Sequence, residues 1–143
     1  MLFSHDPIEM RRCFFVAWEK YQQGQILTDL EQQIVAVSLK HPEYHQILEN
    51  PERYLSKTYS AMSDEANPFL HLGLHLAIQD QLQMKQPACL DNVFKQLCGK
   101  HSEHEAEHVL MQCLLEALSE AAESGNYDPD VYEKRLKNLL LNP

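Results

Sequence analysis

The 143-residue chain carries 12 basic and 21 acidic side chains, a formal charge of −9 with histidine neutral, and only four glycines. No Lys/Arg cluster is available to neutralise a phosphate backbone, which argues against nucleic acid, and the acidic balance keeps the chain off anionic membrane surfaces. The length suits one domain with a real core, and a composition dominated by Leu, Gln, Glu, Ala and Lys favours helices.

The residues Asp6-Pro7-Ile8-Glu9 read as an N-cap, a proline in the first turn and a glutamate able to reach back to the cap. The helix they open is expected to end near Gly24. Within it, CFFVAW (13–18) is too short to span a membrane and has no small-residue cleavage site behind it. The pair Arg11-Arg12 lacks the apolar region that a twin-arginine signal needs, so the expected compartment is the cytoplasm. Thr28-Asp29-Leu30-Glu31 is a second capping box, starting a helix to about residue 40. His41-Pro42 breaks it, since proline lacks the amide proton and clashes with the preceding turn. Pro42 then opens a short helix to about Glu49, and another short piece follows Pro51. Residues 50–66, with Pro51, Ser56, Ser60 and Ser63, are expected to be the most irregular.

Asn67-Pro68 opens FLHLGLHLAIQDQLQM (69–84), whose first half is apolar on every side, as in a helix surrounded by protein. A helix over 89–98 ends at Gly99. Ser102 caps the next, which runs to about Ser124 with Gly125 as its left-handed stop. Asp128-Pro129 starts the last, VYEKRLKNLLL. No strand-like alternation, fixed-period repeat or linker is visible. The expected fold class is all-α: a single-domain helical bundle of six to seven helices over residues 1–143.

Cys13, Cys89, Cys98 and Cys113 form no CxxC pair and sit among apolar neighbours, the pattern of buried free thiols. The eight histidines are more telling. His41/His45, His71/His75 and His104/His108 share a spacing of four, where chance placement gives about 0.4 such pairs. On a helix, residues four apart stand about 5–6 Å from each other on one face. Two imidazoles so placed can turn onto one ion at about 2.0–2.1 Å.

His71 and His75 lie on a stripe with Ile78 and Leu82, and His101, His104 and His108 on one with Met111 and Leu115. Two helices therefore each offer a pair on a core-facing stripe, which is how metal sites in bundles are built. His41 and His45 straddle a helix start, so their relative direction is less defined. Each pair also has a plainer reading: hydrogen-bonded core imidazoles for 71/75, and a polar first turn for 104/108. Glu105 completes a capping box with Ser102, although Glu105-x-x-His108 also matches half of a di-iron ExxH pattern that occurs nowhere else in the chain. Glu103 and Glu107 suit the positive end of the helix. Glu116, set among Leu114, Leu115, Ala117 and Leu118, is a candidate ligand or support for one.

His41-Pro-Glu-Tyr-His45, Asn67-Pro-Phe-Leu-His71-Leu-Gly-Leu-His75 and His104-Glu-Ala-Glu-His108 through Cys113-Leu-Leu-Glu116 resemble the motifs of domain-of-unknown-function family 1841. The resemblance spans about residues 8 to 136, and the NPFLH-x3-H block is its most specific part. It implies a soluble, single-domain, helical bacterial protein and no particular activity.

The expected function is a bundle holding a divalent transition metal, with His41, His45, His71, His75, His104, His108 and Glu116 as candidate ligands. Imidazole-rich donors suit zinc or iron better than calcium or magnesium. A closed four-histidine shell would be structural; three ligands and a water would allow hydrolysis, with Glu116 or Glu107 as base. The alternative is a metal-free module for protein–protein contact. The Leu-rich tail KRLKNLLL (134–141) could then pack on its own chain or on another copy in a homo-oligomer. A histidine-based pH sensor ranks last, because nothing identifies a second state.

Overall fold

The computed structural model describes residues 6–59 and 67–141. Among them are eight α-helices and no strand, an all-α fold: α1 (Pro7–Gln22), α2 (Asp29–Leu39), α3 (His45–Leu48), α4 (Pro51–Tyr54), α5 (Pro68–Met84), α6 (Leu90–Leu97), α7 (Glu103–Ser124) and α8 (Pro129–Asn138). The segment expected as one short helix from Pro42 is a 3-10 turn, Pro42–Tyr44, running into the single turn of α3. Of the stretch expected to be irregular, 51–54 form α4, 55–59 are non-helical, and 60–66 lie outside the described residues. No helix among the described residues is long and apolar enough to cross a membrane.

The helix starts follow the side chains that cap them. Thr28 Oγ1 accepts from the Glu31 amide at 3.2 Å and Glu31 accepts from the Thr28 amide at 2.9 Å, the full reciprocal box. Asn67 Oδ1 accepts from both Phe69 and Leu70 amides at 3.1 Å. Two other expected boxes form only by half. Asp6 caps Ile8 at 3.0 Å and Ser102 caps Glu105 at 3.1 Å. The glutamates, however, turn to side-chain partners: Glu9 pairs with Arg12 at 3.5 Å and Glu105 with His101 at 3.6 Å. Gly125 ends α7 at φ +76°, where its amide donates to the Ala121 carbonyl at 2.8 Å.

The chain divides into two compact units, Met1–Leu76 and Ala77–Pro143. The core of the first is built by Phe14, Phe15 and Trp18 from α1, Ile34 and Val35 from α2, Leu48 from α3, and Phe69, Leu72 and Leu76 from α5. Phe69 is its hub, with ring centroids 6.0 Å from Phe14 and 5.4 Å from Phe15. Arg11 is buried beside it, its guanidinium over the rings of Tyr59 and Phe69. That guanidinium donates to the carbonyls of Leu55 and Lys57 at 3.1 and 2.6 Å, which fastens the chain after α4. In the second unit α6, α7 and α8 pack on one another. Leu90, Leu110, Met111, Tyr132 and Leu136 are almost fully buried there. Arg135 of α8 donates to Glu116 of α7 at 2.8 Å and also pairs with Glu120, clamping the two helices together.

Two substitutions in the first unit separate capping from packing. Thr28→Ala should cost about 1 kcal/mol, whereas Leu72→Ala, at a fully packed site, should cost about 2–5 kcal/mol. Urea unfolding of both variants beside the parent protein measures the difference.

Candidate metal centre

In the first unit, three imidazoles meet at the C-terminal end of α2. His41 follows the last turn of that helix and is 3% exposed, while His75 of α5 is 1% exposed. Ring centroids are 5.0 Å apart for His41 and His71, 4.8 Å for His41 and His75, and 4.9 Å for His71 and His75. Tyr44 stacks nearly parallel on His41, its centroid 5.4 Å away.

The hydrogen bonds fix the proton on His41. Its Nδ1 lies 2.8 Å from the Val37 carbonyl, which can only accept, so Nδ1 carries the hydrogen and Nε2 the lone pair. His71 Nε2, at 3.2 Å from that lone pair, is then the donor. An imidazole held by a backbone carbonyl with its other nitrogen basic is the usual form of a histidine ligand. Two nitrogens bound to one tetrahedral ion stand roughly 3.3 Å apart, close to the spacing of this pair. Burial holds the His41 imidazole below its ordinary pKa, and the neighbouring His75 and His71 act in the same direction. The Val37 hydrogen bond and the more distant Glu43 oppose the shift.

His45, the fourth histidine of this unit, has a different task. Its Nε2 donates to the Ser38 carbonyl at 2.8 Å, and its ring packs on Trp18 with centroids 4.5 Å apart. The spacing of four does not bring 41 and 45 to a common point, because the 3-10 turn at Pro42–Tyr44 intervenes. Each ring instead adds a hydrogen bond to a carbonyl in the last turn of α2 that already accepts a backbone amide, Lys40 on Val37 and His41 on Ser38.

In the second unit, His104 and His108 stand one turn apart on α7, ring centroids 4.4 Å apart and edge to face. Glu107, expected to complement the helix end or to act as a base, is 7% exposed and accepts from Gln79 at 3.0 Å. The signal for its burial was available: positions 107, 111 and 114 read Glu, Met, Leu on one stripe. Glu116 is held by Arg135 at 2.8 Å and by Gln112 at 3.2 Å, contacts that make it part of the clamp between α7 and α8.

The thiols offer little chemistry. Burial pushes Cys113 up to about 11 and also raises Cys89 and Cys98, so all three are protonated at neutral pH. All four cysteines are free. The potential donors gathered in these positions are nitrogens.

An all-α fold with histidines buried on its helices is the class defined so far. The chain belongs to the family described as domain of unknown function DUF1841, whose family model matches residues 6–138. No curated protein and no solved structure matches it.

The state of His41 gives stability a pH dependence of definite sign. The unfolded chain protonates this imidazole near its ordinary pKa of 6.5, and the folded chain only at lower pH. Its contribution is therefore complete above about pH 7 and is lost as the pH falls through that range. Urea midpoints taken with a chelator present should drop between about pH 7.5 and about pH 5.5. The drop should be smaller in His41→Gln.

Proposed function

We propose that this chain is a cytoplasmic protein that binds a divalent transition metal ion, zinc or iron, through paired histidines. In the first unit the ligands we assign are His41 and His75, and in the second unit the candidate donors are His104 and His108, each offering one ring nitrogen. His71, hydrogen-bonded to His41, is the neighbour that would give up that bond or join the shell when the ion arrives. The observation that carries the reading is the state of His41: deeply buried, backed by the Val37 carbonyl, with its Nε2 turned to other imidazoles. An all-nitrogen donor set suits borderline ions, and the hard cations calcium and magnesium would prefer oxygens. The four free cysteines fit a reducing compartment.

The test is elemental analysis of protein purified without affinity tag or chelator, beside His71→Ala/His75→Ala and His45→Ala. Near-stoichiometric zinc or iron in the parent, lost in the double variant and kept in His45→Ala, is the expected result. Circular dichroism on each variant separates loss of metal from loss of fold. A folded, metal-free parent that takes up neither ion on titration overturns the reading and favours the metal-free module for protein–protein contact. That second reading draws on Ile26 and Leu30, apolar side chains 94% and 42% exposed beside the start of α2.

A further inference from the structure

A hollow of about 490 Å³ lies in the second unit, between the last turn of α5, the chain that follows it, and the first turns of α8. Its apolar surface comes from Met84, Pro87 and the rings of Tyr127 and Tyr132, and Asp80 and Glu133 add two carboxylates. No lysine or arginine is among its described lining residues. Tyr132 is 2% exposed and its hydroxyl donates to Gln81 at 2.7 Å, so this ring is a fixed wall. Met84 and Tyr127, by contrast, leave apolar surface in water.

The volume falls within the range of small-ligand sites, about 300–1,000 Å³. Aromatic faces and carboxylates share one electrostatic preference, since a ring quadrupole and an anion both attract positive charge. The chain's formal charge of −9 reinforces it at long range. A hollow of equal size on the same unit is lined by Glu120, Glu123 and Asp128 beside Ala117, Ala121 and Val131, so it offers charge and small aliphatic groups but no aromatic ring.

We propose that the Tyr127–Tyr132 hollow binds a small organic cation, a primary alkylammonium. The ammonium group donates to Asp80 and Glu133, and the alkyl chain lies on Met84 and the Tyr127 ring. This site is independent of the metal reading and uses none of its residues.

The experiment is methyl and aromatic NMR of the full chain titrated with n-butylammonium, and separately with n-butanol and butyrate. Butylammonium should give saturable shifts at the Met84 methyl and the Tyr127 ring. Val131, which lines the hollow without an aromatic ring, should not follow them. The alcohol and the carboxylate should give no saturation, and Asp80→Asn/Glu133→Gln should weaken the amine at least tenfold. Equal binding of butanol would reduce the hollow to a general apolar cleft and overturn the proposal. So would shifts of equal size at Val131, which would mean diffuse attraction to acidic surface, or a lack of saturation by the amine.

Discussion

The hydrogen bond from His41 Nδ1 to the Val37 carbonyl holds the imidazole over the end of α2, where the ring meets His71 and His75 of α5. A helix end leaves carbonyls without partners, and an imidazole in an apolar core needs a partner or pays for desolvation. Placing His41 after the C-cap of α2 gives the buried ring its partner, a Val37 carbonyl that the Lys40 amide alone would not saturate. His45 does the same for the Ser38 carbonyl one residue further on. Pro42 is what makes this geometry available: it stops α2 and opens the 3-10 turn that separates the two rings. From that bond the rest follows, because fixing the hydrogen on Nδ1 leaves His41 with a basic nitrogen facing His71 inside the core.

Much of this fold was legible from its punctuation. Proline in the first turn with Asp or Asn ahead of it marks α1, α5 and α8, the Thr28–Glu31 box marks α2, and Gly125 marks the end of α7. Local rules were enough because caps are local bonds. They failed in detail where a side chain had a better partner nearby. Glu9 and Glu105 each had a side-chain partner three or four residues away, and an ion pair with Arg12 in one case and a contact with the His101 ring in the other replaced the reach back to the cap.

The histidines divide along the same line. Helical spacing was enough to put His71 beside His75 and His104 beside His108, since those pairs lie inside regular helices. It could not place His41 and His45, which lie beyond the end of α2, where the period of 3.6 residues no longer applies. The two glutamates show the other limit. Glu116 looked buried from its leucine neighbours and Glu107 looked solvated from its place near a helix start. What fixed them was the identity of distant partners, Arg135 for one and Gln79 for the other. Long-range partners of this kind have no signature in spacing.

The different fates of the buried polar groups also bear on chemistry. Arg11 enters the core with its charge satisfied by two carbonyls and two aromatic faces, a purely structural arrangement that leaves no donor set behind. Of the thiols expected to be buried only Cys113 is, with Cys89 and Cys98 half-buried and Cys13 exposed; the first three are protonated at neutral pH, which weakens them as donors for a soft ion. Glu116 is committed to a guanidinium. Within the first unit, the polar groups that are both buried and chemically versatile are the imidazoles of His41 and His75; in the second, Glu107 is the buried carboxylate, beside His104 and His108 in sequence on α7. A neutral imidazole can exchange a hydrogen bond for a coordinate bond without changing its own charge. The apolar core that tolerates the His41 ring when neutral resists protonating it, and so keeps its lone pair available near neutral pH.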